Sequence, residues 1–491
     1  MGGTYDIVIV GGGSAGLTAA RTARGLGARV ALVDKERLGG ECLWSGCVPS
    51  KSLLAAARAA HTTGRLGDFG LQAPGGLAPV DLGAVMDSVR GVVAAIEQGE
   101  SAAAMRRLGI DVVLGRATFR SPRELEVVDG RDSRTLRGRA FIICTGSRAA
   151  VPPIEGLDTV DYLTNETLFE VRELPRRLLV VGGGPVGVEM GQAFRRLGSE
   201  VTIIAGDGLL PREDREVSAA LEGIFTREGV AVVRATARRF AREGDQTRIG
   251  YTGADTGADG MGEHGEARGD RVLIALGRRP NVEGLGLEAA GVAYDPRDGI
   301  RIDPYLRTTA GRILACGDVT GPYRFTHAAG FQAATAVRNA LFPRVKSKPA
   351  LEPMPWTTFT DPEVARVGLT EDEARRACED MLVLRASFDQ VDRAHAERDT
   401  EGFVKLVVTP RGKILGGHIV GAHAGEYIGE VTLAMRNGLG VLDLARTIHV
   451  YPTLAMAAQQ AALGYYGRTP FYRLLRGPLG PLARRVLILQ R

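Results

Sequence analysis

A pattern of strand, Gly-x-Gly-x-x-Gly, helix and strand occurs twice in this chain, and it restricts the fold more than any other feature. The first copy runs from the apolar stretch Tyr5 to Val10 into Gly11-Gly12-Gly13-Ser14-Ala15-Gly16. A helix from Leu17 to Gly25 follows, then a second strand from Arg29 to Val33 that ends in Asp34. The second copy runs from Arg177 to Val181 through Gly182-Gly183-Gly184-Pro185-Val186-Gly187 and a helix to the strand Glu200 to Ile204. In such units glycine lets a pyrophosphate approach a helix N-terminus, where free N–H groups and the helix dipole favour an anion. An acid closing the second strand can hold a ribose diol. Asp34 stands 23 residues beyond Gly11, and the same count from Gly182 reaches Ala205. The chain therefore reads as α/β, with two Rossmann-like dinucleotide sites that differ at the residue reading the ribose.

Shortly after the first copy comes Gly39-Gly40-Glu41-Cys42-Leu43-Trp44-Ser45-Gly46-Cys47-Val48-Pro49-Ser50-Lys51. The alanine-rich run Ser52 to Ala60 reads as a helix, with Pro49 tolerated near its first turn. Cys42 and Cys47 then sit at or just before a helix N-terminus, where the dipole lowers a thiol pKa. Lys51, four residues after Cys47, adds a cation on the same side. A pair held this close can cycle between disulfide and dithiol. A structural disulfide or half a zinc site is the competing reading. No second cysteine or histidine pair stands at metal spacing and no signal peptide is evident, so no metal is expected.

A length of 491 residues divides into about three domains. Five cysteines are too few and too scattered for a secreted scaffold, which points to a reducing, cytoplasmic setting. No apolar run reaches the roughly 18 residues that span a bilayer. The net charge of +5 is concentrated in residues 464–491, which carry six arginines and no acid. The rest is near neutral and offers no nucleic-acid track. The basic tail at 466–491 allows a weak contact with anionic membrane, so a peripheral location is also open.

Between and beyond the glycine motifs, residues 81–108 read as one long amphipathic helix, and Asp111 to Phe119 and Glu124 to Val128 as strands. Phe141 to Gly146 reads as a strand ending in Thr145-Gly146, in which Cys144 is a small buried hydrophobe. Residues 245–270 read as a mobile hairpin carrying a solvated His264. The strand Arg271 to Leu276 and the turn Gly277-Arg278-Arg279-Pro280-Asn281 come next. Ile313 to Asp318 is strand-like, Thr326 to Leu341 is a helix, and Pro349 to Pro355 is a linker into alternating strands and helices that reach about residue 463.

The cysteine box, with the two glycine motifs and the Ile313 to Asp318 segment, resembles the class I pyridine nucleotide–disulfide oxidoreductases over nearly the whole chain. The resemblance implies two nested dinucleotide-binding domains and a C-terminal α+β dimerisation domain that pairs two subunits. Its boundaries are 1–150 and 281–349 for FAD, 151–280 for the nicotinamide coenzyme and 350–465 for dimerisation. In that family the first cysteine attacks substrate and the second contacts the flavin, which casts Cys42 and Cys47 in those roles. Lys51 pairs with a glutamate on the helix after the second glycine motif, here Glu189. FAD then engages Gly11, Gly13, Ser14, Ala15, Gly16, Asp34, Lys35, Gly40, Lys51, Thr145, Gly146 and Asp318. The coenzyme engages Gly182, Gly184, Gly187, Arg212 and Gly277. With Ala205 in place of an acid and Arg212 close behind, NADPH is favoured over NADH, although Asp207 argues the other way.

Two departures shape the expected function. The family's relay is His-Pro-Thr with a glutamate three residues beyond the threonine. Here the stretch is Tyr451-Pro452-Thr453-Leu454-Ala455-Met456, with His449 two residues earlier. A phenol near pKa 10 holds a proton that an imidazole near 6.5 exchanges. A tyrosine here is reminiscent of mercuric reductase, yet no cysteine follows Cys378 to capture a soft metal ion. The leading expectation is an FAD-dependent NAD(P)H oxidoreductase that passes electrons through Cys42–Cys47 to a disulfide-type or other small acceptor. The alternatives are a mercuric-reductase-like metal reductase, a quinone-reducing diaphorase, and a flavin-binding membrane-associated subunit without activity of its own.

Overall fold

The computed structural model describes residues 4–72, 79–256 and 262–468, and these fall into two compact units. Beyond the turn Tyr466–Arg468, the basic tail expected at 466–491 lies outside the described residues, as do residues 257–261 of the expected hairpin and the side chain of His264.

The first unit takes the described residues of 1–64, 75–206 and 233–351. Its leading sheet has a parallel core ordered Asp111–Leu114, Val30–Asp34, Tyr5–Val10, Asp132–Ile143 and Ile313–Ala315. Strands buried on both faces must be apolar throughout, and Ile7, Ile9, Leu32, Phe141, Ile142 and Ile143 accordingly have no more than 1% of their surface exposed. The helices Ser14–Gly25 and Thr326–Leu341 pack together on this sheet. Asp132–Ile143 serves two partners: its first half pairs antiparallel with Glu124–Asp129, and its second half pairs parallel with Tyr5–Val10.

The second parallel sheet is ordered Glu200–Ile204, Arg177–Val181, Arg271–Ile274 and Tyr162–Leu163. The expected hairpin at 245–270 is found as Gln246–Thr256 and Gly262–Gly269, within a three-stranded antiparallel sheet led by Ala235–Glu243. Ser147–Ala149 and Arg278–Pro280, in the same compact unit as both parallel sheets, pair antiparallel.

Two elements break where the sequence reads as continuous. The helix expected over 81–108 is Leu82–Glu100 followed by Ala102–Arg107. Ser101 between them is extended and caps the second helix by accepting from the Ala104 N–H. The strand expected from Asp111 to Phe119 divides at Gly115, whose φ of +136° only glycine adopts freely.

The second unit takes the described residues of 65–74, 207–232 and 352–491. Its antiparallel sheet is ordered Pro355–Thr358, Glu363–Gly368, Ile414–Gly421, Phe403–Val408 and Leu382–Ser387. The helices Ala424–Arg436 and Met456–Leu463 bury Val431, Ala457, Ala458 and Ala461 against it. Helix Arg215–Arg227 is tied to this sheet by charge as well as by packing. Lys405, 2% exposed, reaches Asp214 at 2.8 Å, Glu216 at 3.2 Å and Glu371 at 2.7 Å. A lysine so deeply buried stays charged only with such partners.

Candidate active site

The two glycine loops are built alike. Gly11 has φ +107° and a Cβ there would lie 2.3 Å from the Cys144 carbonyl oxygen. Gly182 has φ +120° and would meet the Ala275 oxygen at the same distance. A Cβ on Gly16 would fall 1.8 Å from Gly11 O, and one on Gly187 2.0 Å from Gly182 O. These contacts are shorter than any carbon tolerates, so each loop closes only with glycine. The helices they open have Gly13 and Gly184 as N-caps, and neither receives a side-chain cap. Leu82–Glu100, by contrast, is capped by Asp81. Uncapped N–H groups behind a close-approaching backbone fit a pyrophosphate. Gly40 fits the same cradle, since a Cβ there would lie 2.5 Å from Gly13 Cα.

Asp34 takes the Gly12 N–H at 2.7 Å on one oxygen and the Glu36 N–H at 3.0 Å on the other. It fixes the loop as well as ending the strand. Lys35 is exposed beside it. Thr145 and Asn281 exchange hydrogen bonds, Thr145 Oγ1 donating to Asn281 O at 2.7 Å and Asn281 Nδ2 to Thr145 O at 2.9 Å. Gly146 and Gly277, each directly before one of the paired strands Ser147–Ala149 and Arg278–Pro280, both have positive φ.

The cysteine box forms a short helix, Gly40–Trp44, and then a long one, Cys47–Gly64. The long helix starts at Cys47 itself, so Pro49 lies in its first turn. Cys42 donates its S–H to Cys47, and that bond is the first cause of a Cys47 pKa lowered to about 6. Thr326 and Lys51 lower it further, while burial and the Glu189 carboxylate oppose. Cys42 is raised for the mirror reason, by its bond to Cys47 and then by burial. In the reduced pair the thiolate is therefore favoured on Cys47 and the proton on Cys42. Ser14, from the first glycine motif, also hydrogen-bonds Cys42. Lys51 Nζ meets Glu189 Oε2 at 2.8 Å, with the Glu189 side chain 6% exposed.

Three neighbours escaped the sequence reading. Thr326 Oγ1 lies 3.6 Å from Cys47 Sγ, at the start of the helix Thr326–Leu341. Glu41, directly before Cys42, is ion-paired with Arg278 and accepts from Asn165 Nδ2 at 2.6 Å. Arg278 Nε also donates to Ser147 Oγ at 2.8 Å, and Ser147 Oγ to Asp318 Oδ2 at 2.6 Å. A glutamate inside the box and an arginine in the later turn were both visible in the sequence. Their pairing was not.

Arg212, His449 and Tyr451 belong to the second unit. Arg212 is exposed, and its carbonyl accepts from Arg366. The His449 ring is held by Thr447 O at 3.0 Å from Nδ1 and by Glu430 at 2.8 Å from Nε2. Tyr451 donates to Asp392 Oδ2 at 2.8 Å, and that bond raises its pKa. Among the described residues no group of three or more His, Cys, Asp or Glu side chains could hold a metal ion, and no helix is long and apolar enough to cross a membrane.

Two glycine cradles, a thiolate–thiol pair and a lysine–glutamate pair define a nucleotide-dependent redox flavoprotein. Residues 5–333 match the pyridine nucleotide-disulphide oxidoreductase family, and residues 354–462 match that family's dimerisation domain; the chain belongs to this family. A mercuric reductase of Streptomyces lividans is 39% identical over 465 residues, covering 93% of this chain and 95% of that protein. A dihydrolipoyl dehydrogenase of Thermus scotoductus is 38% identical over 470 residues, covering 94% and 97%. The solved Cu(II) complex of the HOCl-induced flavoprotein disulfide reductase RclA from Escherichia coli superposes with a TM-score of 0.83 at 29% identity, covering 94% of this chain and 99% of that one. The chain is thus an FAD-dependent oxidoreductase using NAD(P)H, which sets aside the reading as an inactive subunit. The dimerisation domain supports a homodimer.

Proposed function

We propose that this enzyme oxidises NAD(P)H, with NADPH preferred, and passes the electron pair through Cys42 and Cys47 to an acceptor that needs no proton on leaving. A thiol-bound soft metal ion fits that description, a quinone can draw its two protons from water as it is reduced to the hydroquinone, and lipoamide or glutathione disulfide, whose leaving thiolate needs a placed acid, does not. The observation that carries this is Tyr451. It stands where the family places its relay imidazole, and its bond to Asp392 holds the phenol proton even more firmly than usual. A group that keeps its proton through neutral pH cannot shuttle it to a leaving thiolate.

Bound FAD would supply two-electron transfer from the nicotinamide to the Cys42–Cys47 disulfide. The glycine loops at Gly11–Gly16 and Gly182–Gly187 hold the two pyrophosphates. Asp34, Lys35, Gly40, Thr145, Gly146 and Asp318 complete the first site, and Arg212 and Gly277 serve the second. Lys51, anchored by Glu189, keeps a fixed cation beside Cys47 and stabilises its thiolate. Cys42 holds the remaining proton until an acceptor engages its sulfur. A soft metal ion displaces that proton directly, because the metal–thiolate bond drives the deprotonation.

Steady-state NADPH and NADH oxidation with lipoamide, glutathione disulfide, a benzoquinone and Hg(II) tests this reading. Quinone or Hg(II) turnover should exceed disulfide turnover by at least tenfold. Lipoamide turnover equal to the best of them would sink it. The similarity to a mercuric reductase favours the metal arm, and Hg(II)-dependent NADPH oxidation decides it.

A further inference from the structure

Beside the catalytic pair, the first unit contains a second pair of thiols that the reaction does not use. Cys144 Sγ and Cys316 Sγ are 3.5 Å apart, and the two residues are 5% and 0% exposed. They are separated by 172 positions in the chain. The parallel pairing of Ile313–Ala315 with Asp132–Ile143 aligns Ala315 with Ile143, which brings the next residue of each strand side by side. Each cysteine is followed at once by a segment assigned to the flavin site, Thr145–Gly146 after Cys144 and Gly317–Asp318 after Cys316. The Cys144 carbonyl is also the atom against which Gly11 closes its loop. The pair thus lies under the pyrophosphate cradle and joins the two halves of a domain that an entire second nucleotide unit interrupts.

We propose that Cys144 and Cys316 are an oxidation site, forming a disulfide with small uncharged peroxides that staples the two flavin-domain segments together. The Cys316 sulfur attacks the O–O bond of the peroxide, expels hydroxide or alkoxide and becomes a sulfenic acid. The Cys144 sulfur then attacks that sulfur, the S–S bond forms, and the departing hydroxide leaves as water with the Cys144 proton. Two thiols and one ROOH give one disulfide, ROH and water, with two electrons passing from the sulfurs to the peroxide bond. The bond to Cys316 and burial raise the Cys144 pKa, which leaves the first attack to Cys316. Burial makes formation slow, and it equally shields the product from bulky thiols such as glutathione. Both cysteines belong to an apolar cluster with Ile9, Ile142, Leu314 and Ala333.

The test uses the purified holoenzyme and tryptic mapping without reductant. Cys144 falls alone in peptide 140–148 and Cys316 alone in 313–324, whereas Cys42 and Cys47 share peptide 38–51. After hydrogen peroxide treatment and blocking of free thiols in denaturant, a 140–148/313–324 species two hydrogens lighter than the summed peptides should appear. It should vanish with dithiothreitol and be missing from Cys144→Ala and from Cys316→Ala. The oxidised wild type should melt several degrees higher than the reduced form and release FAD more slowly in guanidinium, differences that both variants lose. Should the two peptides remain fully alkylated while 38–51 is fully oxidised, the proposal is overturned. A linked species with unchanged melting and unchanged FAD release overturns the staple.

Discussion

At the level of single residues, the proton distribution within the cysteine pair is the most consequential feature. Cys47 is held near a pKa of about 6, chiefly by the thiol of Cys42. In the reduced enzyme, the pH profile of Cys47 alkylation by iodoacetamide should therefore have its midpoint near 6. Cys42→Ala removes the first cause and should move that midpoint up toward the ordinary range, roughly 8.5. An unchanged midpoint would mean that Lys51 and the helix N-terminus set the value instead. Tyr451 gives the second test. Building an imidazole relay with Tyr451→His, oriented by Met456→Glu, should raise lipoamide or glutathione reduction, a positioned acid/base typically being worth roughly 10²–10⁴. Quinone turnover should change little. A double variant no better with disulfides would show that the relay is not what the wild type lacks.

At the level of elements, the glycine loops make the sharpest demand on sequence. Gly16→Ala puts a carbon into the Gly11 carbonyl and should yield colourless protein without FAD. Gly25→Ala, at the far end of the same helix with open space around it, should bind FAD normally. His418 on the strand Ile414–Gly421 is fully buried, its Nε2 meets Leu369 O at 3.0 Å, and its pKa falls from 6.5 to about 4 because burial disfavours the cation. Between those values the unfolded chain binds a proton that the folded chain does not, so stability declines as pH drops from 6.5 toward 4. The full effect is on the order of 3 kcal/mol. His418→Gln should flatten that slope in urea melts at pH 7 and pH 4.5, and a slope identical to wild type would exonerate the histidine.

These elements also show what a sequence can disclose. The glycine motifs, the box and the helix Thr326–Leu341 were legible because each is local, with its glycines, proline and apolar spacing contiguous in the chain. The breaks at Ser101 and Gly115 were not, since the apolar pattern runs through both and the break is a backbone event. Glu41 with Arg278, Thr326 with Cys47, and Cys144 with Cys316 were invisible for another reason. Each joins residues more than 170 positions apart, and only the sheet order decides that they meet.

For the whole molecule, the loop before the helix Met456–Leu463 is the revealing surface. Ile448 is 95% exposed, Val450 76% and Tyr451 66%, an apolar run that a lone subunit gains nothing by presenting to water. In the homodimer this run should be covered. A twofold axis counts each residue twice. With a buried side chain of this size worth about 1.5–3 kcal/mol, Ile448→Asp should raise the dimer dissociation constant by roughly 10²–10⁴. Sedimentation velocity at micromolar concentration would show it, and an unshifted dimer would place the interface elsewhere.

The long strand Asp132–Ile143 has a consequence for how the protein is made. Its outer neighbour in the parallel sheet, Ile313–Ala315, is synthesised about 170 residues later, after the complete second nucleotide unit. Until then a nascent chain presents the Phe141–Ile143 edge with its hydrogen-bonding groups unpaired, a template for wrong strands. Late closure of so distant a pair is also slow, because loop entropy is spent before the contact is gained. A fragment ending near residue 300 should therefore aggregate, even though it contains both glycine motifs and both cysteines of the box. The intervening segment makes the first sheet wait, and the cell must protect the open edge during that wait.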